Sequence, residues 1–284
     1  MTPFKIKTLK DWKPGDKIKA MVFARSKAGK TWGALTFPRP CVMDFDKGIA
    51  TGRNPEFVKK YGLRDVIYEQ FTEKTRDKKG IVTTHNAFDD ASLWYDFMMS
   101  PTNISKFDTW VIDTGTSLAT LAMNKAYILL GGKTIAATSA TLHEAKTEGV
   151  VIPKIQDYGA ERSMVEQFVG MVLESNKHVL FLCHEKEISD KQGSPTDIVP
   201  LLTGKGVEAI SAMFDEIWNL RTFKAGTEIR RVLQTQADGL RRCGSRYGVP
   251  SIDPVTTAGG IPFEWDAINK ALGDIRAAQT KESS

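Results

Sequence analysis

The chain has 284 residues, a length that suits one large α/β domain or one domain with a small appendage. Hydrophobic residues at 41% and charged residues at 26% are ordinary globular values, and no apolar run approaches the length needed to cross a bilayer. The net charge is +5, and the three scattered cysteines, Cys41, Cys183 and Cys243, form no CxxC pair. With a charged start, Met1 to Lys13, that has no apolar h-region, these features argue against a secreted disulfide framework or a signal peptide. A cytoplasmic protein without membrane association is expected.

The apolar run Ile18–Phe23 reads as a first strand. It leads into Ala24-Arg25-Ser26-Lys27-Ala28-Gly29-Lys30-Thr31, a tight loop that opens a helix. This is the layout of a phosphate-binding P-loop, in which backbone N–H groups wrap phosphates at a helix N-terminus. The pattern predicts an ATP site: Lys30 reaches the β- and γ-phosphates and the Thr31 hydroxyl ligates Mg²⁺. Ala24 stands where the first glycine is usual, which removes easy access to positive φ. Trp32, directly after the loop, either packs against the sheet or lies near the nucleotide base.

Pro38 and Pro40 keep the helix after the loop short. Cys41–Phe45 is a second strand, ending in Asp44-Phe45-Asp46, and Val66–Phe71 a third, followed by a charged loop from Thr72 to Gly80. Asp89 or Asp90 caps a helix running to Met99, with Leu93, Trp94, Phe97 and Met98 on its apolar side. The stretch Phe107–Thr114 is an apolar strand that carries Asp113 at its end; Ser117–Leu129 is helical. Gly131–Pro153 is an irregular loop, Gln156–Ser175 an amphipathic helix, and His178–Cys183 a buried strand ending at His184-Glu185-Lys186. Glu187–Gly206 reads as a further long loop. Met213–Arg221 and Ile229–Thr235 are antiparallel strands, and one helix spans Trp265–Ala277 before a fraying end at Lys281 to Ser284. The alternation predicts an α/β fold with a mostly parallel central sheet, flanked by helices, and antiparallel strands at its C-terminal edge. Residues 1–250 form the ATPase domain and 251–284 a short helical tail.

Asp113, at the end of a buried parallel strand, is the natural second Mg²⁺ holder. Asp46 is the first choice for the carboxylate that orients or deprotonates the attacking water, and Asp44 caps the following turn. His184 can hydrogen-bond the γ-phosphate. Between Arg221 and Gly248 seven basic residues face only Glu228 and Asp238, so this segment carries as much net charge as the whole chain. Such a stripe favours a polyanion, either nucleic acid or nucleotide phosphates.

The order P-loop, Asp46, Phe107–Asp113 and Cys183-His184-Glu185-Lys186 resembles the RecA-like P-loop NTPase core. More narrowly, Ile155-Gln156-Asp157-Tyr158-Gly159, Leu182-Cys183-His184-Glu185-Lys186 and Phe214-Asp215-Glu216-Ile217-Trp218 resemble the phage RecA-like single-strand annealing ATPases. The resemblance implies that Asp46 stands in for the catalytic glutamate and His184 for the polar residue that couples the γ-phosphate to DNA. It places DNA-contacting loops at Gly131–Pro153 and Glu187–Gly206, where Lys133, Lys146, Lys186, Lys191 and Lys205 would meet phosphates. It also implies a homo-oligomeric ring or filament in which Arg246, with Arg242, acts in trans on the neighbour's ATP. Single-stranded DNA and a single-strand-binding protein are the partners it implies. A hexameric helicase-type motor, a small-molecule phosphotransferase and a nucleotide-gated DNA-binding protein with little turnover are the alternatives.

Overall fold

Alternating side chains decide how the central strands are buried. In β1 (Lys19–Ala24), Met21 and Phe23 join one hydrophobic cluster, while Ala20, Val22 and Ala24 join a second on the opposite face. A strand that is apolar on both faces needs cover on both. The computed structural model shows that cover, and describes residues 17–73, 75–76, 82–84, 86–130, 135–136, 148–150, 155–203, 206–225, 228–253 and 255–282.

After β1 come α1 (Lys30–Ala34), β2 (Pro40–Asp44), a 3-10 turn at Gly48–Arg53, α2 (Pro55–Tyr61) and β3 (Ile67–Gln70). The short β4 (Thr75–Arg76) and β5 (Val82–Thr84) pair with each other before α3 (Ala87–Met99), β6 (Thr109–Asp113) and α4 (Gly115–Leu129). A second small pair, β7 (Ile135–Ala136) and β8 (Glu148–Val150), precedes α5 (Ile155–Glu174). The chain ends with β9 (His178–Ser189), β10 (Pro195–Pro200), α6 (Gly206–Ser211), β11 (Glu216–Ala225), β12 (Glu228–Gln234), β13 (Gly244–Ser245) and α7 (Trp265–Glu282).

Among the described residues the main sheet has nine strands, in the order β12-β11-β1-β9-β6-β2-β3, with β10 added to β9 and β13 to β11. From β11 to β3 every pairing is parallel; β12, β10 and β13 pair antiparallel. This is the expected fold class. Helices α3, α4, α5 and α6 cover one face, and α1, α2 and α7 cover the other. The register matters for the site. Ala24 lies opposite His184, and Asp44 opposite Asp113, so the C-terminal ends of four parallel strands meet at one edge.

Several local expectations are corrected. The strand at His178 does not stop at His184 but continues to Ser189, and β10 returns beside it as a ribbon. The Asp190 carboxylate accepts from the N–H groups of Gln192 and Ser194, and Gly193 takes φ +85°, which makes a tight turn where a long loop was expected. Residues 186–196 are exposed, so no apolar periodicity marks this ribbon. In α3 the buried residues are Ala87, Phe88, Ala91, Tyr95 and Met98, whereas Leu93 and Phe97 are exposed. The helix starts at Ala87 with Asn86 at its cap position, leaving Asp89 and Asp90 in the first turn, where their charge suits the helix dipole. Met213 and Phe214 lie outside β11, which starts at Glu216, because Phe214 turns into the core beside Phe181. The last helix runs on to Glu282, past the point where fraying was expected.

The residues after 250 pack onto the sheet. Phe263, Ile268 and Leu272 are buried in the second cluster, and the Trp265 ring sits against Phe37 and His178. Gly33 permits this contact, since a Cβ there would fall 2.1 Å from the Phe263 ring.

Candidate nucleotide site

Loop geometry follows from where positive φ is needed. Lys27 and Gly29 take it, at 62° and 100°, and Ala24 does not. The departure from glycine at position 24 therefore carries no backbone penalty, and Ala24 simply ends β1 in the core. Gly29 precedes α1 in the left-handed conformation and turns the chain so that Lys30 points inward. The Lys30 ammonium donates to the carbonyls of Ala24 and Arg25 at 3.2 and 3.1 Å. Burial lowers its pKa, opposed by the nearby Asp113 carboxylate.

The Thr31 hydroxyl donates to Asp113 Oδ2 at 2.6 Å. Asp113 is buried, and desolvation pushes its carboxyl up to about 7. Carboxylate oxygens of Asp44, Asp46 and Asp113 lie within 4.8 Å of one another. Gly48 closes over the contact: a Cβ there would lie 2.3 Å from Asp113 Oδ2 and 3.1 Å from Thr31 Oγ1. A hydroxyl beside clustered carboxylates is a hard-oxygen donor set that fits Mg²⁺. A divalent cation at these oxygens would reverse the upward shift of Asp113.

Asp44 holds the turn that presents Asp46. Its carboxylate accepts from the Gly48 N–H at 2.8 Å and from the Gln70 side-chain amide at 2.8 Å. Asp46 is half-exposed, and its Oδ2 lies 3.7 Å from His184 Nε2. Burial and the neighbouring Asp44 charge raise the Asp46 pKa; burial and Lys30 lower that of His184. The His184 N–H donates to Thr116 Oγ1, whose hydroxyl in turn donates to the carbonyl of Leu201 at the end of the ribbon.

A cavity of about 480 Å³ is lined by Ser26, Lys27, Gly29, Lys30, Thr31 and Trp32 together with Asp46, Asp113 and His184. The sequence-predicted nucleotide residues are thus brought to one place, apart from Ala24, Arg25 and Ala28, which do not line it. Arg25 points away and pairs with Glu185 at 3.1 Å. Trp32 meets Phe57 and Tyr61 of α2 edge-on and also lines the cavity.

Sequence reasoning missed Gly48, Gln70 and Arg231 at this site. Arg231 reaches over from β12, its guanidinium 4.9 Å from the Trp32 ring and its stem against Gly29. Three of the seven basic residues in the stripe that contains it pair with carboxylates of the same chain. Arg242 makes two hydrogen bonds to Asp197, Arg246 pairs with Asp215, Arg241 with Asp238, and Arg221 bonds Gln234. Arg242 and Arg246 therefore lie away from this chain's own cavity. Lys186 and Lys191 are exposed on the β9–β10 ribbon, while Lys133, Lys146 and Lys205 lie outside the described residues, as does most of Gly131–Pro153. Among the described residues no helix is long and apolar enough to cross a membrane.

A family model described as an AAA domain matches residues 16–247. No curated protein matches the chain. Among solved structures, the flagellar accessory protein FlaH from Methanocaldococcus jannaschii superposes at a TM-score of 0.33 with 9% identity, covering 76% of this chain and 78% of that one. The family match spans most of the chain, including the loop, Asp46, Asp113 and His184. The chain belongs to the AAA-domain family, with a P-loop NTPase core.

Proposed function

We propose that this P-loop NTPase binds and hydrolyses ATP with Mg²⁺ and couples hydrolysis to single-stranded DNA, as a homo-oligomeric recombination protein that anneals strands or exchanges them. The observation that supports the coupling is β9. One continuous strand carries His184 in the nucleotide cavity and Lys186 on an exposed ribbon, with Lys191 at its tip. A shift of His184 on loss of the γ-phosphate would reach that ribbon through backbone, with the Thr116–Leu201 hydrogen bond as a second link.

In this reading the loop N–H groups and Lys30 hold the phosphates, and Thr31 and Asp113 would hold Mg²⁺, which supplies charge neutralisation to phosphoryl transfer. Asp46, in reach of the cavity, takes a proton from the attacking water or orients it. His184 beside Asp46 reports whether the γ-phosphate is present.

The deciding experiment is the ATPase rate with and without single-stranded DNA over a salt series. Stimulation that fades as salt rises is expected, since phosphate contacts release counterions. Turnover indifferent to DNA would overturn the coupling. DNA binding that depends on ATP without turnover would leave a nucleotide-gated binder, and duplex unwinding would indicate the helicase-type motor instead.

A further inference from the structure

Next to the phosphate cavity lies a second, larger cleft of about 710 Å³, within the range of small-molecule sites. The two share Trp32, Glu56 and Arg231. The far wall of the cleft is the segment Gly260–Glu264, beyond the residues that the family model matches. That wall is tied to β12 by backbone: Leu233 donates to Ile261, and Phe263 to Arg231. Gly260 takes φ +67°, and a Cβ there would lie 2.7 Å from Val232, so the close approach depends on glycine. Across the rim, Lys60 of α2 pairs with Glu264 at 2.6 Å.

Resting on the ATP reading above, we propose that this cleft is the nucleoside subsite. A triphosphate seated in the P-loop must continue past the start of α1, and the shared residues mark the joint it crosses. Each suits the part that would lie there. Arg231, stacked on Trp32, has its Nε buried without a hydrogen-bond partner among the described residues, and it supplies a positive charge beside the α-phosphate. The Glu56 carboxylate accepts from sugar hydroxyls. Ile229, Val232 and Pro262 give apolar surface to a base. The C-terminal segment is thus part of the nucleotide site.

The test compares ATP with inorganic tripolyphosphate, which shares the phosphates and lacks the nucleoside. Glu56→Ala, which removes the acceptor for the sugar hydroxyls, should weaken ATP at least about tenfold, the worth of one charge-assisted hydrogen bond, and leave tripolyphosphate within about twofold. In the wild-type protein, which does not depend on the variant folding, 8-azido-ATP should label Ile229–Val232 or Gly260–Glu264 on irradiation. A variant that weakens both ligands alike, or neither, overturns the proposal, as does label confined to other segments. If the wild-type protein binds neither ligand, the ATP reading itself fails, and the subsite with it.

Discussion

The Thr31 hydroxyl and the Asp113 carboxylate meet at 2.6 Å across a strand to which neither belongs. The sheet order places β9 between β1 and β6, so the P-loop and the acid are not on neighbouring strands. They meet because the C-terminal ends are in register and the loop folds back over the edge. His184, on the intervening strand, is thereby held between the phosphate loop and Asp46.

Gly48 is the most exacting position around that contact. Its φ is not in the left-handed region, so Gly48→Ala tests space rather than backbone conformation. The added methyl would drive the Asp113 carboxylate away from Thr31. The expected outcome is a rightward shift in the Mg²⁺ dependence of ATPase activity and at least about a tenfold lower rate, as for displaced first-contact geometry. A Mg²⁺ titration of turnover, with a thermal melt to confirm folding, checks it.

Lys30 and Asp46 should separate binding from chemistry. Lys30→Ala removes the buried ammonium and is expected to abolish measurable ATP binding and turnover. Asp46→Asn keeps the size and removes the base. It should retain ATP while slowing hydrolysis by about 10² to 10⁴, the usual contribution of general acid–base catalysis. Equilibrium binding beside single-turnover rates would show the split; equal rates for Asp46→Asn would remove it from that role.

Arg246 and Arg242 both hold carboxylates of their own chain, and both are exposed. Exposed pairs contribute little to stability, so Arg246→Ala and Arg242→Ala should melt close to the parent protein. If either acts in trans, its loss lowers ATPase activity only at concentrations where the protein is assembled. A dilution series of specific activity, read beside sedimentation, distinguishes the two. Proportional loss at every concentration argues for a role within one chain.

His178 gives a pH dependence unrelated to nucleotide. It is buried beside Phe37 and Trp265, and its Nδ1 accepts from the Ile18 N–H at 3.1 Å. Desolvation lowers its pKa from 6.5 to about 4. Between those values the unfolded chain binds a proton that the native state resists. Stability is therefore full above pH 6.5 and falls as pH drops toward 4, by up to about 3 kcal/mol from this group. Denaturant midpoints over that range should show the fall, and His178→Asn, which keeps an acceptor, should flatten it.

Much of the site was legible because its signals are contiguous. An apolar run followed by Gly29-Lys30-Thr31 specifies a strand, a phosphate loop and a helix start from local chemistry alone. Acids and a histidine at the ends of later apolar runs specify the same edge, once a parallel sheet is inferred from the alternation of strands and helices. The sequence by itself therefore determined the fold class, the nucleotide loop and the places of Asp46, Asp113 and His184. Tertiary structure decided what depends on distant partners. Gln70 matters because it reaches Asp44, Arg231 because β12 brings it to Trp32, and Gly260–Glu264 because backbone bonds tie it to β12. The basic stripe had a plain sequence signal, yet Asp197 and Asp215, remote in sequence, engage two of its arginines. The β9–β10 ribbon left no periodic trace, because a hairpin exposed on both faces has no apolar side to record. Local pattern encodes what each segment prefers; only packing decides which charges and cavities remain for function.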